Sequence, residues 1–281
     1  MNNFGASRFG LLPPVVKNLL ILNGLFFLAS LSFDQVFHID LNNLLGLHYY
    51  SSDKFSPYQF ITYMFMHGSF LHIFSNMFAL WMFGKELEMR WGPSRFLTYF
   101  LVTGLGAAII QIGVMYFELQ PTILAIKTYV AKPSPADFKI FLESGFFQLP
   151  SFEFQTYYKH FIDNYNLLLT TNTDQAVLSS VEFMTQYKTA FLNAPVVIGA
   201  SGAVFGILLA FGMMFPNTVL YIYFAIPMKA KYFVMLYGGF EIYAGLSNRT
   251  GDNVAHFAHL GGMIFGFILI MYWKKTKQFY K

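Results

Sequence analysis

Long apolar runs, each closed by charge, glycine or proline, set the pattern of this 281-residue chain. A helix needs roughly 17 to 25 apolar residues to cross a bilayer. Six stretches have that character: 16–36, 57–83, 96–117, 195–215, 232–247 and 254–273. The fifth is interrupted by Glu241 and by glycines. The first lacks a small-x-small cleavage site before Asp34 and is long for a signal peptide, so it is expected to be retained. Between the third and fourth runs the texture changes. Residues 118–190 are rich in Phe, Tyr, Gln, Asn and Thr, are punctuated by Pro121, Pro133, Pro135 and Pro150, and contain no spanning run. Aromatics at mixed helical spacings over Phe138–Phe147 and Phe152–Leu169 predict short amphipathic helices lying on the membrane or on the bundle. The aromatic content argues against disorder. No internal repeat is visible. The pattern predicts an all-α membrane protein: a six-helix transmembrane bundle, residues 1–281, with 118–190 as an outer-side insertion between helices three and four.

Composition agrees. Hydrophobic residues make up 56% of the chain, charged residues 11%, and mean hydropathy is +0.47, whereas a soluble domain carries about 25% charged residues. There is no cysteine, which excludes disulfides. The basic residues gather at the ends of apolar runs, so no nucleic-acid partner is expected. With the N-terminus inside, the inner segments carry Arg8, Lys17, Lys85, Arg90, Arg95, Lys229, Lys231, Lys274, Lys275, Lys277 and Lys281. The short outer loops carry only Lys54 and Arg249. That asymmetry predicts both termini in the cytoplasm.

Candidate chemistry sits inside the apolar runs, where polar groups are costly. Ser201 lies within Gly199-Ala-Ser-Gly202, seven residues into its run. Pro195 and Gly199 predict an irregular stretch there, with helix beginning near Ala200. Irregular backbone at membrane depth persists only where protein or a water-filled cavity receives it. A serine at a helix start also meets free backbone N–H groups, which suit a developing oxyanion. Gly202 and Gly206 are spaced as a helix-packing face, and Gly262 and Gly266 repeat the device on the last run. Helices four and six run parallel in this topology, so two such faces would bring Ser201 and His259 together near the outer end. His256 lies one turn nearer the surface. On the second run His72 and Asn76 share a face at i, i+4, and His67 lies at or before its start. Their donors could hold a negative oxygen or could join helices. Runs 194–215 and 254–273 contain no Asp or Glu, so no acid is expected to orient His259. Asp252 lies just outside helix six. Glu241 is an intramembrane acid, read as either functional or a structural hydrogen bond.

Together these segments resemble the rhomboid family of intramembrane serine proteases, in its bacterial-type, six-helix form. The motifs that carry the resemblance are His67-Gly-Ser-Phe-Leu-His72-Ile-Phe-Ser-Asn76, Gly199-Ala-Ser201-Gly202 and Ala258-His259-Leu-Gly-Gly262-x-x-x-Gly266. The resemblance spans about residues 15–117 and 195–273 and leaves the insertion unaccounted for. It implies a Ser201–His259 dyad as nucleophile and general base. It also implies an oxyanion hole from His72, Asn76 and the Ser201 N–H, with Phe205 stacked on the histidine. Supporting places fall to Gly199, Gly202, Gly262, Gly266, His67 and His256. The implied substrates are single-pass membrane proteins, cut in or near their membrane helix after a small residue. No metal or other cofactor is implied, and His-Glu-x-x-His is absent. The implied setting is the inner cell membrane, with the site opening to the extracytoplasmic side. One departure concerns the first outer loop, where many members carry Trp-Arg and this chain reads Pro57-Tyr58-Gln59-Phe60.

Three rival readings use the same residues. A catalytically silent relative would escort membrane clients, but such relatives usually lack the serine or the histidine. A proton relay or transporter would use His67, His72, His256, His259 and Glu241, and would be expected to show an inverted repeat. A metal site of His72, His256 and His259 would lack an acid or thiolate to complete it. Oligomeric state is not legible in the sequence.

Overall fold

The computed structural model of the protein describes residues 12–222, 225–247 and 254–276. Arg8, Arg249, Asp252, Lys277 and Lys281, named above, lie outside these. The chain divides into two compact units: residues up to 47, 58–111 and 197 onward form one, and 48–57 with 112–196 form the other.

In the first unit, α1 (Pro14–Phe37) opens with proline at its first position, where the missing N–H costs nothing. Its exposed N-terminal donors are met by a buried acid: Glu88 Oε1 accepts from Val15 N at 2.9 Å and Oε2 from Val16 N at 2.7 Å. Asp40 caps α2 (Leu41–Leu45) through Asn43 N. The loop that follows leads to α3 (Gln59–Thr62) and a 3-10 turn, Tyr63–Phe65. Gln59 and Thr62 side chains donate to the Leu44 and Leu45 carbonyls at 3.1 and 2.6 Å. These bonds tie α3 to the end of α2.

The second predicted span differs from the expected 57–83. Extended backbone at Met66 and a Ser69 cap separate it from α3. Helix resumes as α4 (Phe70–Ala79), passes through a π-type turn at Leu80–Gly84, and ends as α5 (Lys85–Trp91). Charged residues in α5 hid its helical character, yet Leu87, Glu88 and Trp91 are buried. The third span begins α6 (Pro93–Ala131), which runs 39 residues rather than stopping near 117. Pro121 sits inside this helix. Beyond it, Ile126 and Tyr129 pack into an apolar cluster that repays continuing the turn.

The second unit holds α7 (Pro135–Glu143), α8 (Phe152–Thr171) and α9 (Thr173–Asn193). Ser134, Ser151 and Asn172 cap their N-termini through Asp137 N, Phe154 N and Gln175 N, each at 3.1 Å. Two of these helices are longer than the short ones expected: α8 has 20 residues and α9 has 21. Phe183 is fully buried among Phe138, Phe161 and Tyr187, with the Phe161 ring stacked at 4.2 Å. Mixed aromatic spacing thus marks an aromatic core rather than a single amphipathic stripe.

Back in the first unit, α10 (Ser201–Met214) is followed by a hairpin, Val219–Ile222 against Ile226–Lys229, that pairs Val219 with Lys229. Then come α11 (Ala230–Ser247) and α12 (His256–Lys275). By length and composition α1, α6 and α12 can each cross a membrane, and α10 is a shorter apolar helix. The glycine faces do not simply meet one another. A methyl on Gly262 would overlap the Gly202 carbonyl, but Gly206 and Gly266 face Thr103 and Tyr99 on α6. Tyr99 Oη donates to the Gly206 carbonyl at 2.8 Å. Small residues here join three helices, not two.

Candidate active site

The irregular stretch before Ser201 is held by its backbone. Gly199 adopts a φ of 125°, which side chains rarely tolerate, and its N–H donates to the Tyr63 carbonyl at 2.9 Å. Tyr63 is fixed in turn, its hydroxyl donating to the Gly104 carbonyl at 2.7 Å. Helix then begins at Ser201, as Pro195 and Gly199 predict. Ala200 offers no side-chain cap, and the first ladder bond is Val204 N to Ala200 O at 3.0 Å. The N–H groups of Ser201, Gly202 and Ala203 therefore have no carbonyl of their own helix to meet.

His259 Nε2 lies 2.8 Å from Ser201 Oγ. Its ring is stacked on Phe205, centroids 4.2 Å apart and planes 7° from parallel. On the opposite edge, His259 Nδ1 lies 2.8 Å from Glu241 Oε2, and His256 Nδ1 lies 2.6 Å from the same oxygen. All three are buried, Glu241 at 3% exposure, so bulk water does not compete for these bonds. An imidazole placed this way can take the serine proton, and the carboxylate can hold the imidazole.

The expectation that no acid is placed beside His259 is overturned by the 2.8 Å contact of Glu241 with its Nδ1. The acid comes from α11, a helix outside the two runs that carry serine and histidine. Its signal was present: Gly238, Glu241 and Gly245 share one helical face. A methyl on Gly238 would lie 3.2 Å from Met263, and one on Gly245 would lie 3.1 Å from Phe257. That face therefore lies against α12. Glu241 also corrects the view that a metal set would lack an acid. Atoms of Glu241, His256 and His259 able to bind metal lie within 4.8 Å of one another. Their N···O separations of 2.6 and 2.8 Å are those of charge-assisted hydrogen bonds, and both engage Oε2 of the carboxylate.

Ser69 starts α4 by accepting from His72 N at 3.2 Å. The His72 ring packs against Gly199, where an added Cβ would come within 2.7 Å of its Nε2. His67 is buried and meets His72 edge-on, centroids 4.9 Å apart. Asn76 is buried, and its amide donates to the His72 carbonyl at 3.1 Å. One amide hydrogen is left for another acceptor. Tyr237 is a neighbour that the sequence did not single out, its ring 4.9 Å from that of Phe205.

Fold and contacts define a class: an all-α membrane protein in which a half-buried serine, a buried imidazole and a buried carboxylate form one hydrogen-bonded chain. The Rhomboid domain model matches residues 54–118 and 167–275, more than half the sequence, and the chain belongs to the rhomboid family. It is also similar to the RHOMBOID-like protein 12, mitochondrial, of Arabidopsis thaliana, with 27% identity over 250 residues. That match takes in 88% of this chain and 55% of the plant protein, so the chain spans about half the length of its relative.

Proposed function

We propose that the chain is an intramembrane serine endopeptidase with Ser201 as nucleophile and His259 as general base. The observation that carries this reading is the 2.8 Å contact between His259 Nε2 and Ser201 Oγ, at a helix start with unpaired N–H groups. Ser201 Oγ attacks the scissile carbonyl carbon while its proton passes to His259 Nε2. The tetrahedral oxyanion is held by the Ser201 N–H with donors from His72 and Asn76. His259 then gives the proton to the leaving amine as the C–N bond breaks, and water releases the acyl chain by the reverse sequence. Neither metal nor other cofactor takes part.

Substrates are single-pass membrane proteins. A helix must unwind before its carbonyl can be attacked, so segments weakened by Gly or Pro are favoured. Both termini face the cytoplasm, the site opens to the outer side of the inner membrane, and 118–190 is an extracytoplasmic insertion within a single membrane domain.

Purified protein in liposomes, given a generic transmembrane substrate, tests this. Parent protein cleaves it, while Ser201→Ala and His259→Ala reduce the rate by about 10³-fold or more. Cleavage unaffected by either change rejects the reading. A parent that binds the substrate without cutting it favours the silent escort.

A further inference from the structure

We propose that Glu241 is a positioning residue: it holds His259 in the tautomer whose Nε2 is free to take the Ser201 proton. The inference rests on the serine-protease reading above and adds a member to its machinery. Stacking on Phe205 fixes the plane of the His259 ring, at 7° from parallel. It does not fix which edge faces Ser201, because a half-turn of the ring keeps the same plane. Glu241 makes that choice. A carboxylate only accepts hydrogen bonds, so the nitrogen facing Oε2 at 2.8 Å carries the proton. The other nitrogen, Nε2, then presents its lone pair to Ser201 Oγ at 2.8 Å.

His256 completes the arrangement. It lies three residues before His259 on α12, and its Nδ1 donates to the same Oε2 at 2.6 Å. Two donors from one helix pin the carboxylate, which in turn ties α11 to α12 beside the serine. When His259 takes the serine proton, the resulting imidazolium already has its counter-charge in place. Phe205 and Glu241 therefore divide the task, one setting the plane of the ring and the other its edge.

The test compares parent and Glu241→Gln on a transmembrane substrate in liposomes. Glutamine keeps the shape but removes the charge and supplies an N–H donor of its own. A fall in kcat of about 10²-fold with KM within about twofold is expected, with slower fluorophosphonate labelling of Ser201. A folded Glu241→Gln protein that turns over like the parent overturns the proposal and leaves the protease reading intact. A parent that neither cleaves nor labels at Ser201 overturns both.

Should the variant fail to fold, the parent alone still decides. Solid-state NMR of protein with ¹⁵N-labelled histidine in bilayers should find His259 protonated at Nδ1 and bare at Nε2. The opposite tautomer overturns the proposal. So does activity that is lost to a chelator and restored by zinc, which would assign the three residues to a metal.

Discussion

Gly199, two residues before the serine, has little freedom to change. Its φ of 125° already disfavours a side chain, and a Cβ there would lie 2.7 Å from His72 Nε2. Gly199→Ala should cost about 1–3 kcal/mol of stability from backbone strain alone. It should also slow cleavage, by pushing His72 away from Ser201. Thermal unfolding and turnover measured together check this. His72→Ala keeps the backbone and should lower kcat by about 10²-fold with little change in melting temperature. The contacts of His259 with Ser201 and Phe205 were legible in the sequence, because each residue sits in a short motif whose spacing places it on a helix face. The sequence carried Glu241 poorly. Whether an acid in α11 faces a histidine in α12 depends on helix rotation, a tertiary property visible beforehand only in the spacing of Gly238 and Gly245.

Helix contacts explain how the site keeps its distances. Gly262 meets the Gly202 carbonyl so closely that any side chain must separate α10 from α12. Gly262→Ala should therefore destabilise by about 1–3 kcal/mol, as overpacked positions do, and stretch the contact between Ser201 and His259. Gly24 on α1 is the control. An added methyl there meets nothing within 4 Å, so Gly24→Ala should not destabilise the protein, and helix propensity favours it, while labelling of Ser201 stays unchanged. At the far end of the unit, Glu88 satisfies two backbone donors of α1. Glu88→Ala orphans both and should lower stability by about 1–3 kcal/mol, read by thermal unfolding in detergent. Hydropathy located most helices but blurred their ends. It ran through the break at Met66–Ser69 because the apolar residues on either side outweigh His67 and Ser69. It stopped early in α6 because Pro121 reads as punctuation when the packing of Ile126 and Tyr129 is unseen.

For the molecule as a whole, the absence of cysteine makes topology directly measurable. Single cysteines at Lys54 and at Lys274 should react with an impermeant maleimide from opposite sides of sealed vesicles, Lys54→Cys from the outer side. Labelling of both from one side contradicts the charge asymmetry behind the orientation. The aromatic unit has its own test. Phe183→Ala removes the ring at its centre and should cost about 3–5 kcal/mol locally, exposing α7 to α9 to limited proteolysis. Composition foretold that this region would be ordered. It could not foretell a separate core, because aromatics spaced irregularly along each helix become a cluster only when α7, α8 and α9 converge.

The most direct measurement of the central claim is mass-spectrometric mapping of the residue modified by a fluorophosphonate in the membrane-embedded protein. A Ser201 adduct in the parent, strongly reduced in His259→Ala, is the predicted result. An adduct at another residue, or none while a control serine hydrolase in the same membranes is fully labelled, would contradict a nucleophilic Ser201 activated by His259.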